Sequence, residues 1–360
     1  MKRIFFLVGL FLLIFIAVFA ITKFINRNNS NFVYEGHMIY EVDNLPQNKY
    51  AAQGNNLIIA TTKKTFCIRK NGDILWEHAA FCANPKLQTA GNFALVADIN
   101  GQNIYLFKNG KLILEKTLDN SIFNASVNEK GCITVSTVAE GFSSKVTVFN
   151  QFGTEIYFYS SSEDFAIDAV LAKNNRNLAI SFYGTRDGEI ISSICFIDVI
   201  SQKVLERPSF VNLIIPSLIF NDNEKLLAIG DTATLLYNKK GHNIWINRYN
   251  GQTLTDYVFN KNKRYSLLFE NAVGTVTAKT FNFRNKPKRE KEIDFYPKNI
   301  SQGGKKSLLT GDRKFALMNK KGKITETGHL RKNYSIVILT ENNKNFYGIS
   351  ANSIELIKIK

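Results

Sequence analysis

From Phe32 onward the chain alternates short apolar runs with polar clusters, and almost nothing repeats at helical spacing. The runs are rich in Ile, Val, Phe, Tyr and Thr. Asn, Gly, Asp and Lys clusters break them every 8–12 residues, roughly the spacing of an all-β sandwich, barrel or propeller. One run returns as a near copy of itself. It reads Leu57-Ile58-Ile59-Ala60, Ala94-Leu95-Val96-Ala97, Ile133-Thr134-Val135-Ser136, Leu178-Ala179-Ile180-Ser181, Leu227-Ala228-Ile229-Gly230, Ser266-Leu267-Leu268-Phe269, Ser307-Leu308-Leu309-Thr310 and Tyr347-Gly348-Ile349-Ser350. The eight copies end 37 to 49 residues apart.

Each copy is followed by an alternating strand and a hairpin, often turning on Gly, as at Asn71-Gly72 and Asn109-Gly110. Asn-Gly provides the positive φ that a tight hairpin needs. Copies four and six lack the Gly, near Ser201-Gln202 and Asn285-Lys286, so their hairpins should be longer or differently built. A unit of about 41 residues with four short strands is a propeller blade. The pattern therefore predicts an all-β, eight-bladed β-propeller, with seven blades as the alternative. The eighth copy runs out of chain after its third strand, at Ser353–Lys360. The strand at His37–Val42 has no blade of its own, so it is expected to supply the missing outer strand and close the ring.

Ahead of the repeats, Ile4–Ile21 is an apolar run of about 18 residues between Lys2-Arg3 and Lys23. That is close to the roughly 20 residues a spanning helix needs. It is read as an uncleaved signal anchor over residues 1–25, followed by a polar tether over 26–36 and the propeller over 37–360. A cleaved leader, ending near Val18-Phe19-Ala20, is the competing reading. The basic flanks nearly balance, and the simplest topology puts the propeller outside the cytoplasm. The expected location is therefore the cell membrane, single-pass, with the ring extracytoplasmic.

The segments Asn71-Gly72-Asp73-Ile74-Leu75-Trp76 and Lys240-Gly241-His242-Asn243-Ile244-Trp245 resemble the Gly-x-x-x-Trp end of the pyrroloquinoline-quinone-like repeat, within the wider superfamily that includes WD40-like propellers. The whole arrangement also resembles membrane-anchored propeller proteins of low-GC Gram-positive bacteria. Catalytic members of the quinoprotein branch typically are much longer, and many carry a vicinal Cys pair and an acidic calcium cluster. This chain has neither, so the resemblance implies a scaffold and no cofactor.

Few residues of the chain fall into a pattern that carries chemistry. Cys67, Cys82, Cys132 and Cys195 sit in or near strand runs and read as buried small hydrophobes. A Cys67–Cys82 disulfide is the alternative in an exported domain. His37, His78, His242 and His329 are scattered without zinc-ligand spacing. Asp98–Asn103 begins like a calcium loop but has Asn109 where a bidentate Glu is required, and reads as a loop between strands. Asp164 and Asp168 form an imaginable carboxylate pair, with solvation or capping as their expected role. Gly303-Gly304-Lys305-Lys306 precedes a strand, so no helix N-terminus is there to hold phosphate.

The formal charge is +16, from 46 Lys and Arg against 30 Asp and Glu. Codon bias towards Lys would spread an excess evenly, yet Lys261–Lys360 carries 22 basic against 8 acidic residues. The densest stretch, Phe281–Lys291, gives a polyanion-binding patch of Arg284, Lys286, Lys288, Arg289 and Lys291. Its competing reading is a solvated hairpin tip with Phe281 and Phe283 facing the core. The lengthened turn Tyr183–Glu189 in copy four is a second candidate contact surface. The expectation is a non-catalytic envelope scaffold. Its partners would be the membrane, through the N-terminal helix, and an envelope protein, an anionic wall polymer or lipid headgroups, with nucleic acid disfavoured. The alternatives are a lyase or glycan hydrolase with a channel site, favoured by converging carboxylates or histidines, and a cytoplasmic ring binding anionic lipid or RNA.

Overall fold

The computed structural model describes residues 33–359 apart from 261–263, 272 and 284–286. Eight antiparallel sheets of four main strands follow one another along the chain. In the first seven the four main strands lie side by side in sequence order, from an innermost strand to an outermost one. The inner strands are Lys49–Gln53, Pro85–Ala90, Ile122–Val127, Phe165–Leu171, Ser217–Phe220, Leu254–Asn260, Asn299–Gly303 and Ile336–Leu339, in blades one to eight. This is the eight-bladed propeller. All eight copies of the repeated run fall on the second strand of a blade, where nearly every residue is buried.

The reason lies in how blades stack. Each of the eight apolar clusters joins one blade to the next. A second strand is covered on both sheet faces by neighbouring blades, so it reads as a continuous apolar run rather than an alternating one. Both tryptophans reach from an outer strand to the following blade. Trp76 stacks on Phe107 at 5.2 Å and Trp245 lies 5.4 Å from Phe281. Gly110 is obligatory beneath the first, because a Cβ there would come within 2.3 Å of the indole.

Ring closure follows the expected route. Gly36–Glu41 pairs antiparallel with Ser353–Lys358 as the outer strand of blade eight. The eighth cluster then packs Tyr347, Ile349 and Ile354 against Leu57, Ile59, Phe66 and Ile68 of blade one. One element was not foreseen. Val33–Tyr34, assigned above to the tether, adds a parallel strand to the edge of blade seven, with Tyr34 donating to Glu326 Oε1 at 2.6 Å. The tether therefore does not extend to residue 36. The apolar run Ile4–Ile21 lies outside the described residues, among which no helix is long and apolar enough to cross a membrane.

The turns explain why asparagine is common. Asn128, Asn150, Asn221, Asn238 and Asn319 each open a turn and accept, at Oδ1, the N–H groups two and four residues on. Such side-chain acceptors replace a missing ladder partner. In blade four the Gly-less hairpin is not longer: residues 199–202 turn with Gln202 at φ 55° and Asp198 Oδ1 accepting from Ile200 and Ser201 N–H. The Gly-less turn of blade six falls on residues outside the description.

Antiparallel order assigns the loops to two faces. Turns from first to second strand and from third to outer strand lie on one, called the front. Turns from second to third strand and the connections between blades lie on the other, the back.

Candidate functional site: the channel and its polar arc

Side chains two residues apart on a strand share a side, so each inner strand stacks its residues in layers along the axis. The front layer holds Gln88, Ser126, Val170, Ile219, Phe259 and Gln302. These line a cavity of about 540 Å³ together with front-face turn residues including Glu129, Lys173, Asp222 and Glu341. Two residues earlier on the same strands come Lys86, Asn124, Asp168, Ser217, Tyr257 and Ile300. The first five of these form a connected polar arc across blades two to six.

Lys86 Nζ donates to Asn124 Oδ1. Asn124 Nδ2 donates to Asp168 Oδ1 at 2.9 Å and to Ile167 O at 3.0 Å. Asp168 also accepts from Ala169 N at 3.0 Å and, across to blade five, from Leu218 N at 2.8 Å. Ser217 precedes Leu218, and its Oγ lies 2.8 Å from Tyr257 OH. Opposite this arc the inner strands of blades seven and eight carry no charged residue and present Ile300, Ile336 and Ile338 half-exposed.

The local backbone is built for this. The pairing register slips immediately before Asn124, Asp168 and Asp256, the last being the neighbour of Tyr257. An extra residue in a strand re-aims the side chain beside it. Burial raises the pKa of Asp168, against the N–H donors and Lys86 that favour its charge. Burial likewise lowers that of Lys86, with Asp168 opposing, and raises those of Tyr257 and Asp256.

Chemically the arc gathers one amine, one carboxylate and one phenol, each held by protein partners. Other channel polar groups tie one inner strand to the next: Thr89 Oγ1 donates to Ala52 O, Val127 N to Gln88 Oε1, and Ser126 Oγ to Ala169 O. Among the described residues no three His, Cys, Asp or Glu side chains come together as a metal site.

Sequence candidates fare unevenly. Asp164 and Asp168 are both under 10 % exposed, so the solvated reading is corrected. They also do not face one another as a pair. Asp164 binds Arg207 at 2.6 Å and Arg186 at 3.4 Å on the back face, where Arg207 also covers the Phe182 ring. Tyr183–Glu189 is not a loop: it is the tip of a hairpin of two ten-residue strands, turning on Asp187-Gly188, with Ser209–Val211 added along one strand. The four cysteines are buried free thiols, and burial pushes Cys67 and Cys82 up to about 12. No Cys67–Cys82 disulfide forms. Asp98–Asn103 joins two strands, with Asp98 Oδ1 accepting from Asn84 N. Gly303–Lys306 is a turn between two strands.

Of the polyanion patch, Arg284 and Lys286 lie outside the described residues. Lys288, Arg289 and Lys291 fall on the outer strand Pro287–Ile293 of blade six, with Arg289 and Lys291 exposed. Phe281 and Phe283 do face the core, at 4 % and 6 % exposure. Lys86 and Tyr257 were missed. Their signal was a polar residue at one repeated position of otherwise apolar inner strands, visible only once the repeats are aligned by blade.

A family of unknown function (DUF5711) matches residues 27–359. The chain belongs to that family. Among solved structures, the C-terminal WD40 domain of Sif2 is similar over 92% of this chain and 100% of its own, with TM-score 0.65 and 13% identity. A component of the Mitotic Checkpoint Complex covers 92% and 90%, with TM-score 0.52 and 9% identity. The Myceliophteria thermophila Cps50 (Swd1) β-propeller domain covers 92% and 100% at 0.50 and 9%. At such identities these likenesses speak for the propeller fold alone. No curated protein matches the sequence.

Proposed function

We propose that this member of the family is a membrane-anchored, extracytoplasmic β-propeller acting as a non-catalytic binding scaffold at the cell envelope. The observation that carries the non-catalytic part is that the carboxylate of the polar arc is fully engaged by protein donors. A glycan hydrolase needs two carboxyl groups across an open cleft, one to give a proton and one to attack or activate water. Here Asp168 has both oxygens occupied by N–H donors, and Asp256 Oδ1 accepts from Tyr257 N. The anchor reading rests on Ile4–Ile21, and the envelope setting on the resemblance to pyrroloquinoline-quinone-like scaffolds. The rigid ring supports binding: loops from all eight blades are held at fixed positions around one axis.

The test is a reporter fused after Lys360, active only outside the cytoplasm, combined with affinity capture by the full chain from solubilised envelopes. Reporter activity outside and recovery of one envelope component through its turn residues supports the scaffold. Cytoplasmic reporter activity overturns the location. Turnover of a glycan substrate abolished by Asp168→Asn overturns the non-catalytic reading.

A further inference from the structure

The sequence locates the excess charge in blades six to eight, but the fold redistributes it by face. Setting aside the N-terminal entry at 33–36, the described connections of the front face carry 13 Lys and Arg against 5 Asp and Glu. Those of the back face carry 6 against 9. The front-face excess is not at the channel mouth. Turns from inner to second strand are close to balance, and their charges pair, as Lys173 does with Glu129 at 2.6 Å. It sits further out, on the turns from third to outer strand. There Arg69, Lys70, Lys239, Lys240 and the Lys320–Lys323 turn share their turns with one acid, Asp73, and Lys239 also reaches Glu224 at 3.4 Å.

We infer that the front face of the ring is a docking surface for an anionic lipid bilayer. Cations on the rim of a disc, in three patches on blades one, five and seven, with a centre closer to neutral, match a flat anionic surface. A polymer drawn into the channel would instead require its charge at the mouth. Lysines tethered near such a surface gain attraction that decays within one Debye length, so contact is strongly salt-sensitive. The chain outside the described residues sets the distance. Residues 22–32 separate the apolar run from the ring and extend at most about 40 Å. This inference rests on the anchor reading, and adds which face turns to the membrane.

The four native thiols are buried, so one introduced cysteine can be labelled selectively. Full chain in lipid nanodiscs would carry a bimane at Lys240→Cys on the front face or at Glu140→Cys on the back. Spin-labelled headgroups serve as quencher. In discs with about one-third phosphatidylglycerol, quenching at position 240 should exceed that at position 140 several-fold. It should fall towards the neutral-disc value near 1 M salt, where the Debye length is about 3 Å. Lys239→Glu with Lys320→Glu, Lys321→Glu and Lys323→Glu should abolish the difference while the chain stays in the disc. Equal quenching at both positions, or no dependence on the anionic lipid, overturns the inference. So does an unquenched Lys240 label on a chain that instead retains soluble poly(glycerol phosphate). A chain that never enters the disc counts against the anchor reading itself.

Discussion

Blades two to six and the seam formed by blades seven, eight and one are held together in different ways. In the first region inner strands are joined through side chains, from Lys86 through Asn124 to Asp168, which accepts from the backbone N–H of Leu218, and from the neighbouring Ser217 to Tyr257. In the second, the inner strands carry no charged residue except Lys49, and a tie from Leu339 N to Ser301 Oγ links blade eight to blade seven. Closure there comes at the rim, where Val33–Tyr34 and Gly36–Glu41 pair with strands some 300 residues later. The rim bonds are backbone ladder bonds backed by an apolar core, so they tolerate substitution but not removal. The axial bonds are buried polar bonds, which are specific and costly to leave half-made.

Breaking the seam should have the largest effect. Deleting residues 33–41 exposes the edge of Ser353–Lys358 and removes Tyr34 and Tyr40 from their clusters. Loss of cooperative thermal unfolding, with aggregation or strand exchange between chains, is the expected result in calorimetry and size-exclusion chromatography. A monomer melting within about 2 °C of the full chain, equivalent to roughly 1–2 kcal/mol at this size, would show that the borrowed strands are dispensable.

The arc comes next. Asp168→Ala strands three donors, the N–H groups of Ala169 and Leu218 and the Asn124 amide, and should cost about 3 kcal/mol by chemical denaturation. Ile338→Val, in the seam, should cost only about 1 kcal/mol. Equal costs would erase the distinction between the two regions. Tyr257→Phe, which leaves Ser217 Oγ without its phenol partner, belongs between them at about 1–2 kcal/mol.

A pH series sharpens the same point. Because burial raises the pKa of Asp168, the folded ring holds its proton more tightly than the unfolded chain does. That contribution is fully present below the ordinary aspartate value near 3.9 and is lost as pH rises through the raised folded value. The stability margin of the wild type over Asp168→Asn should therefore narrow from about pH 4 upward. A margin that widens would mean that the donors and Lys86 outweigh burial.

The smallest effect concerns the thiols. With Cys67 and Cys82 pushed up to about 12 and Cys195 to about 11, the native protein should react with a disulfide reagent at pH 8 at a negligible rate. All four thiols should titrate once the chain is unfolded. A fast native thiol would mean that one of the clusters around Cys67 and Cys82, or Cys132 and Cys195, opens readily.

The blade count and the closing strand were legible because they depend on periodicity, which needs no knowledge of neighbours. The arc was not. Asp168 was read as solvated because its sequence neighbours are a polar turn and an alternating strand. Only the ring brings Leu218 N, 50 residues later, onto its carboxylate. The hairpin at Tyr183–Glu189 was read as a turn because ten-residue strands are unusual here, and its pairing with Ser209–Val211 is not local.

By itself the sequence determined a closed ring of eight similar units, since each repeat must bury its apolar second strand between two others. It also showed a lone strand ahead of the first repeat, which pairs with the last unit as its outer strand. The tertiary structure alone decided which polar residues meet on the axis, because that requires five blades at one height. It decided the sidedness of the charge as well. Lysines scattered along the sequence face one way because alternate turns of an antiparallel blade return to the same face.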